Sequence, residues 1–123
     1  PHENDFYRIP LLIWGEPLKE EYRSQKIKKL GSQSDIAATL MYQMDGKHEL
    51  YPWSKDLLNP ESPEFALHTV ISGYGWVTPK GEMAYQMEQK YFIRNTFSKE
   101  DEKSELDKGY AYLTRIYEAY KNL

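Results

Sequence analysis

The sequence predicts an α/β chain, or an α+β one when this piece stands by itself. Its elements are one buried strand, a capped helix, a small antiparallel meander and a C-terminal amphipathic helix. Three observations carry that prediction. The apolar run RIPLLIWG at 8–15 reads as a strand covered on both faces. Residues 66–95 mix β-branched and aromatic side chains with Gly and Pro punctuation, as strands and tight turns do. Leu106, Tyr110, Leu113, Tyr117 and Tyr120 follow one another at steps of four, three, four and three, the period of one helix face.

In chain order, the run holds five apolar side chains between Ile9 and Trp14, interrupted only by Pro10. Pro10 is tolerable near a strand start because it removes a single donor. EPLKEEYRSQK reads as solvated, and KIKKL as a short edge strand guarded by lysines. Ser32 and Asp35 have the spacing of a capping box, with Asp in place of the usual Glu or Gln. A helix over about 33–44 follows, with Ile36, Leu40, Met41 and Met44 at helical spacing and Ala37 and Ala38 keeping its opening turn slim. Asp45-Gly46 ends it. Residues 46–65 read as an irregular connection broken by Pro52, Pro60 and Pro63, with one short helical turn in WSKDLLNP. The meander is expected to have three or four strands, with Ser72-Gly73-Tyr74-Gly75 as a turn. The final helix begins among acidic residues and ends near Lys121, in accord with the helix dipole.

One fully apolar strand cannot be buried by so few elements. The chain also begins with Pro1 rather than Met. The expectation is therefore a segment cut from a longer protein, with the slim turn of the first helix packing against the absent part.

Composition narrows the function. Of 123 residues, 40% are hydrophobic and 28% charged, an ordinary globular balance. The formal charge of −3, and a KIKK run without interleaved aromatics, argue against a nucleic-acid partner. Cysteine is absent, so disulfides and Cys-ligated metals are excluded.

The residues taken alone make no catalytic site. His2, His48 and His68 are far apart in sequence and no HExxH occurs, so no local metal signature exists. His68 reads as a cross-strand partner and His48 as an ordinary loop residue. His2 precedes the apolar run, where active-site loops of α/β proteins gather. The carboxylates of 100–107 read as a solvated helix start, and Asp35 as a helix cap rather than a catalyst. Trp14, Trp53 and Trp76 are candidates for a sugar-stacking face, although Trp14, inside an apolar run, reads better as core.

Three segments together carry a resemblance. RIPLLIWG, SQSDIAATL (32–40) and WSKDLLNP are similar, in order, to motifs in the C-terminal part of the sulfatase-like proteins of the alkaline phosphatase superfamily. The branch they resemble most includes lipoteichoic acid synthases and related phosphoglycerol or phosphoethanolamine transferases. Ala38 stands where that family usually has Pro. TVISGYGWVTPKGEMAYQ looks like the family's C-terminal hairpin, which extends the resemblance over about residues 8–95.

The resemblance implies a metal-dependent parent enzyme whose Thr or formylglycine attacks phosphorus or sulfur, with its metal held partly by an Asp-His-Gly motif. Metal activation of nucleophile and leaving oxygen is the physical logic. Neither nucleophile nor Asp-His pair occurs here. The resemblance thus makes residues 1–123 a single C-terminal subdomain of a larger catalytic domain, with no catalytic residue and no metal ligand of its own. A divalent ion (Ca, Mn, Mg or Zn) belongs to the parent. His2 is the one residue it offers for binding the substrate's anionic oxygens. The expected partner is the remainder of the catalytic domain, with dimerisation of the isolated piece through exposed sheet edges. An extracytoplasmic, membrane-anchored parent is implied by the same likeness. The competing reading is a free-standing, aromatic-rich module for glycans or another partner.

Overall fold

Strand formers separated by turns of two, two and four residues build four consecutive strands: β1 (Ala66–Val70), β2 (Gly73–Thr78), β3 (Gly81–Gln86) and β4 (Tyr91–Asn95). In the computed structural model, which describes residues 7–123, they form one antiparallel sheet in the order β1-β2-β3-β4. The first hairpin turns on Ile71 and Ser72, with Ser72 at φ 54°, and pairs Val70 with Gly73. The second turns on Pro79 and Lys80 and pairs Thr78 with Gly81. Gly73 and Gly75 therefore lie in β2 rather than in the turn the sequence suggests. They are small for packing reasons. A Cβ on Gly73 would stand 1.9 Å from the Tyr85 carbonyl oxygen, and one on Gly75 would stand 2.0 Å from the His68 ring.

Alternation along the strands sends Tyr74, Trp76 and Met83 to one face, where they and Phe97 form the buried core. Helix α2 (Lys99–Lys121) covers that face and contacts β2. Ser98 caps it by accepting the Asp101 N–H at 3.2 Å. Gly109 permits the close approach, since a Cβ there would lie 2.7 Å from Tyr74 and 3.2 Å from Trp76. Tyr74 Oη donates to the Leu106 carbonyl at 2.7 Å, and Trp76 Nε1 donates to buried Glu105 at 2.9 Å. The helix thus presents Glu105, Gly109 and Tyr112 alongside Leu106 and Leu113, not the full stripe the sequence predicts. Tyr110, Tyr117 and Tyr120 of that stripe are exposed.

The capped helix is α1 (Ile36–Gln43), entered through a 3-10 turn at Gln33–Asp35. Ser32 and Asp35 make the capping box, with the Ser32 N–H donating to Asp35 Oδ2 at 2.8 Å. Asp45 takes a left-handed conformation (φ 51°) after the last turn, and the Gly46 N–H closes back on the Met41 carbonyl at 2.8 Å. The slim opening turn packs within this chain, against residues 54–57. The Ala38 N–H donates to Ser54 Oγ at 2.9 Å, and the Leu57 N–H donates to Thr39 Oγ at 2.9 Å.

Three further expectations are corrected. Residues 8–14 form no strand, and Leu12 and Trp14 are 89% and 92% exposed. An apolar run becomes a strand only where a sheet edge accepts its backbone groups. Among the described residues, no strand of the sheet pairs with this run. Trp14 is accordingly not core. KIKKL likewise forms no strand, and WSKDLLNP forms turns without a helical one.

Candidate functional site

A buried ion pair ties the entry of α1 to the loop that follows that helix. Asp35 is held by the capping box with its side chain fully buried, and Lys55 reaches it from the loop after α1. Lys55 Nζ lies 2.5 Å from Asp35 Oδ2, and the Lys55 backbone N–H donates to Oδ1 at 2.9 Å. The ammonium also donates to the Phe65 carbonyl at 3.2 Å and sits 4.0 Å from the Phe65 ring centre. Phe65 in turn stacks on Trp76 at 4.8 Å, so the pair is continuous with the core under α2. Burial pushes the Lys55 pKa below its ordinary value, against the pull of the carboxylate beside it.

On the outer side of this pair the chain leaves a cleft of about 310 Å³. Tyr42 and Tyr51 give it aromatic surface, and Glu49, Asp56 and Asn59 give it polar groups. His48 lines it too, its ring stacked on Tyr42 at 4.0 Å between centroids and its Nε2 3.6 Å from Glu49. Lys29 fastens the far wall. Its ammonium donates to the carbonyls of Asn59, Pro60 and Ser62 at 2.5, 3.1 and 2.7 Å.

The residues singled out in the sequence fall in different places. His2 lies outside the described residues. His68 pairs with Gly75 across β1 and β2, as a cross-strand residue should, and its ring stacks on Tyr7 at 4.1 Å. Burial lowers its pKa. Trp76 is buried in the core while Trp14 is exposed, so the three tryptophans do not form one sugar-stacking face. Asp35 is the cap the spacing predicts, and it is also the acid of the ion pair.

The spacing of residues gave no sign of Lys55 as its partner. The one available signal was indirect, since the small side chains Ala37, Ala38 and Thr39 imply something packed close to that turn. Nothing in the sequence around His48 marks it, because its stacking on Tyr42 depends on the reversal of the chain at Asp45-Gly46.

Among the described residues no three His, Asp or Glu side chains gather as a metal site needs. No helix among them is long and apolar enough to cross a membrane. No family profile, curated protein or solved structure matches the chain.

Proposed function

We propose that the chain is the C-terminal subdomain of a metal-dependent, sulfatase-like hydrolase or transferase of sulfate or phosphate esters. In this reading the rest of the protein carries the nucleophile and the metal. The observation that supports it most is the Asp35–Lys55 pair. SQSDIAATL and WSKDLLNP both resemble motifs of the family, and here they act as one unit, joined acid to base away from water. The exposed run at 8–14 suits the reading as well, because such a sequence is stable between two strands of a larger sheet.

The described residues do not assemble ligands for a divalent ion, so no step is assigned to one here. His2 remains the residue proposed to lie near the substrate's anionic oxygens. Extracytoplasmic placement comes with the family likeness. The uncovered run and the edge strands β1 and β4 give the piece by itself a tendency to pair with a second copy. A strictly monomeric sedimentation profile at high concentration would count against that pairing.

The reading is tested in the DNA upstream of the Pro1 codon and in the product of the whole reading frame. The expected result is an in-frame Asp-His-Gly shortly before Pro1 and a distant Thr or Cys-x-Pro-x-Arg nucleophile. The purified protein should then cleave aryl sulfate or aryl phosphodiester substrates and lose that activity to a chelator. A start codon directly before Pro1 would overturn the reading and leave the aromatic-rich binding module in its place.

A further inference from the structure

The cleft beside α1 has a chemistry of its own, and it belongs to this chain whether or not the enzyme reading holds. Its volume of about 310 Å³ lies at the small end of ligand sites and suits one ring-sized molecule. Two tyrosines offer flat apolar surface. Asp56 Oδ1 and Asn59 Oδ1 each accept a backbone N–H, from Leu58 and Glu61, and Asp56 Oδ2, the Asn59 amide nitrogen and the Glu49 carboxylate remain for ligand hydroxyls.

The charge of the lining is what discriminates among ligands. Lys55 faces the cleft, yet its ammonium is committed to Asp35 and to the Phe65 carbonyl. His48 approaches Glu49. An anion entering here would meet two carboxylates and no uncommitted lysine, which disfavours sulfate and phosphate. A neutral polyhydroxylated ring meets acceptors, donors and an aromatic face. The walls are also built in advance. Ser54 is tied to α1 through the Ala38 N–H, and Lys29 grips the carbonyls of 59–62, so little ordering would remain for a ligand to impose.

From these features we infer that the cleft is a binding site for a neutral hexopyranose unit. One sugar face lies on Tyr51, and the hydroxyls bond to Glu49, Asp56 and Asn59.

The test is titration of the isotopically labelled chain with methyl glucopyranoside, methyl galactopyranoside, N-acetylglucosamine and inorganic phosphate, followed by amide NMR. The expected result is saturable shifts centred on residues 42–63 for at least one of the three sugars and none for phosphate. Tyr51→Leu and Asp56→Asn should each weaken that sugar by about tenfold, the size expected for one ring contact or one hydrogen-bonded carboxylate. Unchanged amide shifts in β1–β4 would show that each variant remains folded. Absence of saturable shifts with all three sugars would overturn the proposal, as would saturable phosphate binding at the same residues. Sugar binding that both folded variants retain at full strength would also overturn it.

Discussion

Lys55 and Asp35 face each other almost out of reach of water, their side chains 9% and 0% exposed. A pair of this kind contributes little net stability over an apolar substitute, because both charges lose their hydration. Removal of one partner is a different matter. Asp35→Ala would leave the ammonium buried and unpaired, at a cost of about 3–5 kcal/mol. Loss of the helix cap alone would cost ~1 kcal/mol. Lys55→Met should cost less than Asp35→Ala, because Asp35 keeps the backbone donors of Ser32 and Lys55. Urea unfolding of the two variants decides the order. A loss of only ~1 kcal/mol for Asp35→Ala would mean that its role is the cap and nothing more.

Ala38 is the third residue of α1. Its N–H is in use, donating to Ser54 Oγ. Ala38→Pro should therefore destabilise the fold by about 1 kcal/mol or more, although Pro suits a helix's first turn in general. Ser54→Ala breaks the same bond from the other side. If thermal melting shows Ala38→Pro to be neutral or stabilising, the bond contributes nothing to stability.

Gly109 sets two effects against each other. Alanine would favour the α2 helix by about 1 kcal/mol. The new methyl would lie 2.7 Å from Tyr74 and 3.2 Å from Trp76, both buried. Overpacking of that kind costs about 1–3 kcal/mol, so Gly109→Ala should lower the melting temperature. A rise would show that α2 can move away from β2 at little cost.

Alkaline pH should unfold the protein through its tyrosines. Burial raises Tyr74 and Tyr112 from an ordinary value of 10.0 to about 12. Below pH 10 both states keep these protons. Between 10 and 12 only the unfolded chain releases them, so stability falls as pH rises. For Tyr74, which is fully buried, the loss is on the order of 2 kcal/mol. Lys55 acts with the opposite sign. Its folded pKa lies below 10.5, so its contribution rises with pH until the unfolded chain also loses that proton. Two tyrosines against one lysine leave a net decline, steepest above pH 10.5. Tyr74→Phe should flatten the measured decline between pH 10 and 12, and an unchanged slope would count against burial as its cause.

The meander and both helices are legible because each is written locally: strand formers punctuated by Gly and Pro, a capping box at Ser32 and Asp35, a period near 3.6 in α2. The face that α2 buries was not. Glu105 and Gly109 count as polar or neutral in any hydrophobic pattern, yet Glu105 accepts the Trp76 N–H and Gly109 clears room for Tyr74. The run at 8–14 has the composition of a buried strand, while burial depends on a neighbour that composition does not supply. The ion pair and the cleft were hidden for a related reason. Lys55 and Asp35 stand twenty positions apart, and nothing local to either residue specifies the other.

The order β1-β2-β3-β4 has a consequence for how the protein forms. Each strand pairs with its immediate successor, and α2 returns directly onto β2. Loops closed in this way are short, which favours rapid folding over the search that distant pairings require. Residues 66–121 can thus collapse as one early nucleus, with Trp76 and Phe97 already enclosed. Phe65, stacked on Trp76, and the Tyr112 hydroxyl, which donates to the Trp53 carbonyl, are the contacts that hold residues 53–65 against it. Residues 29–62 reach that surface with ties of their own, since the Asp35–Lys55 pair and the hold of Lys29 on the carbonyls of 59–62 both close within them.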